Sequence, residues 1–151
     1  MITRPPPAPI PSPVPKPGPQ LDSRGSTATT RAIRIDVAPR FLPEQSGEHE
    51  SWKGRRWLFA YRIRITNQGD DPVQLISRHW LIVDADGEQR HVRGEGVIGQ
   101  QPTIAPSHAF EYESYCPLET PWGTMEGEYL MRTVTGETFE ARVARFYLVS
   151  E

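Results

Sequence analysis

From Thr27 onward, apolar and polar residues alternate along the chain with a period of two. Ile33, Ile35 and Val37 are interleaved with Arg34 and Asp36. Trp57, Phe59, Tyr61, Ile63 and Ile65 are interleaved with Ala60, Arg62 and Arg64. The same rhythm sets Phe110 and Tyr112 against Glu111 and Glu113, and Tyr129 and Met131 against Glu128. It closes with Phe139, Ala141 and Val143 against Glu140 and Arg142. Successive side chains of a strand point to opposite faces, so this pattern marks half-buried strands of antiparallel sheets. Turn-forming clusters separate them: Asn67-Gln68-Gly69-Asp70, Asp84-Ala85-Asp86-Gly87 and Thr135-Gly136-Glu137. No segment carries an apolar stripe of helical period. About seven short strands at these spacings predict one all-β sandwich domain over residues 27–151.

The stretch from Val73 to Val83 departs from simple alternation. Val73, Leu75, Leu81 and Val83 share one parity, whereas Ile76, Trp80 and Ile82 share the other. A strand covered on both faces satisfies both runs, and so does a bulge near Arg78 and His79. Either arrangement makes Trp80 a core residue.

The first 26 residues read differently. Nine of the 16 prolines fall within residues 1–20, alternating from Pro9 to Pro19. Such a segment favours extended polyproline II and cannot bury enough surface to fold. A disordered proline-rich tail is therefore expected over residues 1–26, with residues 21–26 as a polar hinge. A ligand for a partner's aromatic groove is the alternative role for it.

Composition narrows the function. The net charge of −2 gives no long-range field for capturing nucleic acid or an anionic membrane. Cys116 is the only cysteine, which excludes an internal disulfide and a cysteine zinc cage. No run approaches the ~18 apolar residues of a membrane span. Proline interrupts the N-terminus too often for a signal peptide. A cytoplasmic location is expected.

Three kinds of chemistry have candidate residues. Gly94-Glu95-Gly96-Val97-Ile98-Gly99-Gln100-Gln101-Pro102 contains the spacing G-x-G-x-x-G. A dinucleotide fingerprint needs a helix after the glycines, and Pro102 and Pro106 forbid one. The glycines are expected in a loop between strands. There Gly94, Gly96 and Gly99, with Arg78 and Arg93, could form a nest for a pyrophosphate-type anion. A bulge or tight crossing would use the same glycines structurally. For metals, His49, His79, His91 and His108 lack ligand spacing. Glu111 with Glu113, and Glu126 with Glu128, each share a strand face. Were those strands to pair, the four carboxylates could hold hydrated Mg2+, the alternative being an ordinary solvent face. For catalysis, Cys116 has no helix N-terminus or paired histidine to activate it, and Ser114 no nucleophile elbow. No catalytic residues and no enzyme activity are expected.

Several spaced blocks together resemble the ApaG-domain family over residues 29–149. They are Phe59-Ala60-Tyr61, Pro72-Val73-Gln74-Leu75, Arg78-His79-Trp80-Leu81-Ile82, the Gly94–Pro102 segment, Phe110-Glu111-Tyr112, Thr120-Pro121-Trp122-Gly123 and Phe146-Tyr147-Leu148. The resemblance implies an immunoglobulin- or fibronectin-III-like sandwich. It also implies an association with cobalt resistance and magnesium efflux, and a protein-binding role like that of similar domains in F-box proteins. The expected function is thus a non-catalytic module that binds a protein partner. The alternative is phosphate or nucleotide binding at the Gly94–Gly99 loop. No cofactor is expected, and any Mg2+ or Co2+ association is only what the resemblance implies. The chain departs from the family pattern in three places. Ser107 stands for the glycine after Pro106, Glu113-Ser114-Tyr115 for Thr-Ser-Gly, and Ala144 for proline. The second departure leads us to expect an altered turn after Ser114.

Overall fold

The computed structural model of the chain describes residues 23–48 and 54–151. Within them lie ten strands, β1 (Ser26–Thr30), β2 (Ile33–Phe41), β3 (Gly47–Glu48), β4 (Arg55–Asn67) and β5 (Val73–Asp84), then β6 (Gln89–Glu95), β7 (Thr103–Ile104), β8 (Ala109–Leu118), β9 (Trp122–Thr133) and β10 (Thr138–Val149). A single turn of 3-10 helix, Pro43–Gln45, is the only helical piece among the described residues.

The strands form two antiparallel sheets. The first runs β1-β2-β4-β8, with the two-residue β3 on the start of β4. The second runs β10-β9-β5-β6, with β7 beside the first residues of β5. Seven long strands and three short ones give the expected sandwich. Alternation works as read: Ile33, Ile35, Phe59, Ile63 and Ile65 face Leu75, Met125, Met131, Val143 and Phe146 across a core that excludes water. Trp80 is 3% exposed and meets Tyr61, Tyr129 and Phe146 edge-on, with ring centroids 5.6, 6.0 and 5.9 Å away.

A bulge resolves the two parities of β5. It falls at Ile76, between Leu75 opposite Met131 and Ser77 opposite Leu130, two residues before the position expected from the sequence. Beyond it Trp80 and Ile82 turn inward, and Arg78 shares their side of the strand.

The two long sides of the sandwich differ. On one, β1 seals against β10. Tyr147 N–H donates to Arg24 O (2.9 Å), Ser26 Oγ to Ala144 O (2.7 Å), and Arg142 N–H to Thr30 Oγ1 (3.1 Å). The domain thus begins before residue 27: Arg24 and Ser26, read as hinge, belong to it. The rest of the expected tail, residues 1–22, lies outside the described residues. On the other long side, β6 ends one sheet and β8 ends the other, and among the described residues no pairing closes the gap.

Candidate functional site

The glycine segment follows β6 as a loop, and each glycine answers a local need. Gly94 lies opposite Arg78 in the ladder. A Cβ at position 94 would sit 2.8–2.9 Å from the Arg78 guanidinium, so only glycine lets that side chain lie across the strand. From there Arg78 Nη1 donates to the carbonyls of Glu95 (3.1 Å) and Gly96 (2.7 Å). Gly96 has φ 63°, and its Cβ would meet Gln100 O at 2.2 Å. Val97 and Gln100 exchange N–H···O bonds of 2.8 Å around Ile98 and Gly99, whose φ values are 43° and 77°. Two positive φ values in a two-residue loop define a type I′ turn.

This geometry does not bring the five expected anion-binding residues to one point. The N–H groups of Gly96, Val97 and Gln100 already donate to Ile76, Gln100 and Val97. Arg78 lies on the inward side of the sheet. Arg93, opposite His79 in the ladder, is exposed on the outward side.

The four-glutamate patch also fails, because the strands that carry it do not pair. β8 pairs with β4, whereas β9 pairs with β5 and β10 in the other sheet. Each glutamate is engaged locally. Glu111 meets Arg62 and Arg64, Glu113 meets Arg40 (3.2 Å), and Glu126 meets Arg142 (3.6 Å) and Arg145 (2.7 Å). Among the described residues no three metal-ligating side chains gather to hold an ion.

Sequence reading treated His79 and His91 as scattered, and the fold joins them. Glu128 Oε2 lies 2.6 Å from His79 Nδ1, and His79 Nε2 lies 2.9 Å from His91 Nδ1, with the two rings stacked at 5.1 Å. Folding the Asp86-Gly87 hairpin on paper would have placed the histidines within one diagonal step. The glutamate required knowledge of the β5–β9 pairing.

One concavity, with a volume of about 1090 Å3, lies over the charged outer face of β1, β2, β4 and β8. A smaller one, about 470 Å3, lies on the open side, between β6 and β8. One wall is the inner face of β5 and β6: Trp80 and Val92 side by side, Arg78 at one end and Arg90 at the other. The other wall is Tyr61, Tyr112, Ser114 and Cys116. Ser114 sits in mid-strand opposite Tyr61, so β8 runs straight through the segment where an altered turn was expected. Short side chains at 92, 114 and 116 leave the space that larger residues would fill. Ile98 and Tyr115, 56% and 55% exposed, stand at the rim.

The walls carry no negative charge. Burial pushes the Cys116 thiol up to about 11, so it stays protonated at neutral pH despite Arg90. Burial likewise raises the phenols of Tyr61, Tyr112 and Tyr129 above their usual range. Arg90 Nη2 donates to Pro117 O (3.2 Å) and Cys116 Sγ (3.7 Å). Among the described residues no carboxylate lies within ion-pair distance of Arg78 or Arg90.

Comparison with known proteins agrees with the resemblance read from the sequence blocks. The ApaG domain profile matches residues 47–133. Protein ApaG of Methylobacterium sp. (strain 4-46) is 53% identical over 121 residues, 80% of this chain and 90% of that protein. Protein ApaG of Anaeromyxobacter dehalogenans (strain 2CP-C) is 48% identical over 124 residues, 82% and 94% of the two chains. The crystal structure of the putative ApaA protein from Bordetella pertussis superposes with a TM-score of 0.71 at 47% identity, covering 78% of this chain and 92% of that one. The chain therefore belongs to the ApaG-domain family.

Proposed function

We propose that the chain is a non-catalytic module that binds a protein partner along the open side of its sandwich. The observation that supports this most is the free edge of β8. Among the described residues all ten of the strand, Ala109–Leu118, pair with β4 alone, and of the outward carbonyls that of Pro117 accepts from Arg90. An unpaired edge offers backbone donors and acceptors to an added strand, a common way of recognising extended peptides. Tyr115 projects from this strand and Ile98 stands near it, both more than half exposed. Exposed aromatic and aliphatic side chains are the usual anchors of an interface core.

Two observations favour binding over catalysis. The one thiol is buried and protonated, which suits packing rather than nucleophilic attack. The Glu128–His79–His91 chain has no serine, threonine or cysteine hydrogen-bonded to either ring among the described residues. The link to cobalt resistance and magnesium efflux comes from family resemblance, and on this reading it runs through the partner. Among the described residues no helix is long and apolar enough to cross a membrane. The alternative, a pyrophosphate site at the Gly94–Gly99 loop, would need Arg78 and Arg93 to act from opposite faces of one sheet.

Site-specific photocrosslinking in cells tests the proposal. A crosslinker at position 115 should capture one discrete protein. The same group at Val134, 65% exposed in the far β9–β10 turn, should not. Equal labelling from both positions, or none from 115, would sink the reading.

A further inference from the structure

We propose that the cleft between β6 and β8 binds a small aromatic carboxylate, with its ring between the Trp80–Val92 wall and the Tyr112–Ser114 wall and its carboxylate on Arg90. The cleft lies beside the edge of β8 and shares Tyr115 and Ile98 at its rim with the proposed protein-binding surface, but a small ligand inside it does not depend on that reading.

Size, lining and charge each narrow the ligand. A volume of about 470 Å3 lies within the range of small-molecule pockets, roughly 300–1,000 Å3, and is too small for a folded partner. The lining is apolar and aromatic: Val92 is half-buried, only the edges of the core residues Trp80, Ile82 and Met125 reach the cleft, and the Ser114 hydroxyl is a polar point. That combination suits a flat apolar body with one directed polar end.

The charge decides the sign of that end. Eight arginines of the domain, from Arg31 to Arg145, have a carboxylate within 4 Å. Among the described residues Arg24, Arg55, Arg78, Arg90, Arg93 and Arg132 have none, and of these six Arg78 and Arg90 line the cleft. Each spends donors of one terminal nitrogen on neutral acceptors: Arg78 on Glu95 O and Gly96 O, Arg90 on Pro117 O and Cys116 Sγ. A guanidinium has five N–H donors in a rigid fork, so each keeps an edge for a carboxylate. Beside apolar walls such a pair is stronger than in open water.

Arg90 is the better anchor of the two. It is exposed at the mouth, where a carboxylate can arrive without losing all its water. Arg78 is held against Gly94 by the loop carbonyls, about four strand residues, or ~13 Å, further along the wall. Its charge adds to the field, while the ring occupies the Trp80–Val92 level between them.

Amide chemical-shift titration of the full chain tests this, with 1-naphthaleneacetate and indole-3-acetate as probes and 1-naphthaleneacetamide as the neutral control. Both acids should give saturable shifts at Val92, Ser114 and Cys116. The neutral amide should bind at least ~10-fold more weakly. Arg90→Met should weaken the acids by a similar factor and leave the amide unchanged, while Arg90→Lys should recover part of the loss. Val92→Phe, which fills the cleft, should abolish both; should it fail to fold, the arginine variants decide alone. Absence of saturable shifts at about 5 mM would overturn the proposal. So would equal affinity for acid and amide, shifts centred elsewhere, or a response only to a peptide bearing an aromatic and an acidic residue. The last result would give the cleft to a protein side chain.

Discussion

The hydroxyls of Tyr112 and Tyr129 meet 2.5 Å apart in the core, one from each sheet. Tyr129 is fully buried and Tyr112 nearly so. Each satisfies the other, so neither leaves a polar group stranded among aliphatic side chains. Tyr129→Phe should therefore cost ~1–3 kcal/mol, the cost of leaving the Tyr112 hydroxyl unpaired. The double change to phenylalanine removes both partners and should cost less than the two single changes added together. Urea denaturation of the four proteins gives the coupling, and strict additivity would refute the pairing.

The same burial predicts weakness in alkali. The ordinary values are 9.0 for Cys116 and 10.0 for the tyrosines, and the fold raises all of them. Above pH 9 the unfolded chain releases the thiol proton while the native one holds it until about 11. Above pH 10 the unfolded chain also releases phenol protons that the native chain keeps. The unfolded state then binds fewer protons, so stability falls as pH rises, by at most ~1.4 kcal/mol per pH unit per group. Unfolding midpoints should be insensitive to these groups below pH 9 and drop beyond it, most steeply above 10. Cys116→Ala should remove the early part of the decline and leave the tyrosine part.

Trp80 carries the aromatic centre of the core, and Trp80→Ala should cost ~3–5 kcal/mol, the usual range for a buried ring. Its native fluorescence should resist iodide, with Trp52→Phe, Trp57→Phe and Trp122→Phe in the background so that Trp80 is the one indole left. Free quenching would contradict the 3% exposure of the ring.

What the sequence made legible was local. Trp57 to Ile65 alternates because β4 sits in mid-sheet with one face in the core, so its period records its own burial. Pro102 and Pro106 excluded a helix after the glycines without any knowledge of their neighbours. Strand pairing is non-local, and there the reading ran out. The partners of Glu111 and Glu113 are Arg62, Arg64 and Arg40, 47 to 73 residues away in sequence. Nothing in the acidic residues themselves says that they face β4 rather than β9. The cleft was hidden for a similar reason. Arg78 reads as an outward polar residue if Leu75 sets the parity, and only the bulge at Ile76 turns it inward.

One departure from the family pattern has a direct physical test. Ser107 has φ 69°, and His108 N–H donates to Ala105 O at 3.0 Å. With Pro106 before it, Ser107 holds the third position of a type II turn, which needs positive φ and favours glycine. Serine at that conformation is strained by ~1 kcal/mol. Ser107→Gly should relieve part of it and stabilise the domain by ~0.5–1 kcal/mol, less the extra freedom glycine gains when unfolded. A lower melting temperature for the glycine variant would argue against the turn.

Truncation tests where the domain begins. Removing residues 1–22 and removing residues 1–26 are nearly the same edit by length and composition. The structure says that they differ. The longer deletion takes away Arg24 O, which accepts the Tyr147 N–H at 2.9 Å, and the Arg24 guanidinium, which donates to Glu151 O at 3.0 Å. It also removes Ser26 Oγ, which donates to Ala144 O beside the irregularity of β10 between Val143 and Phe146. Net hydrogen bonds contribute ~0.5–1.5 kcal/mol each, and exposure of these lowers the sum. The chain lacking residues 1–26 should be less stable than the one lacking 1–22 by ~1–3 kcal/mol, read from paired urea midpoints. Ser26→Ala in the longer chain should reproduce part of the loss. Identical midpoints would show that β1 begins to hold β10 only after Ser26, with the seal resting on residues 27–30 alone.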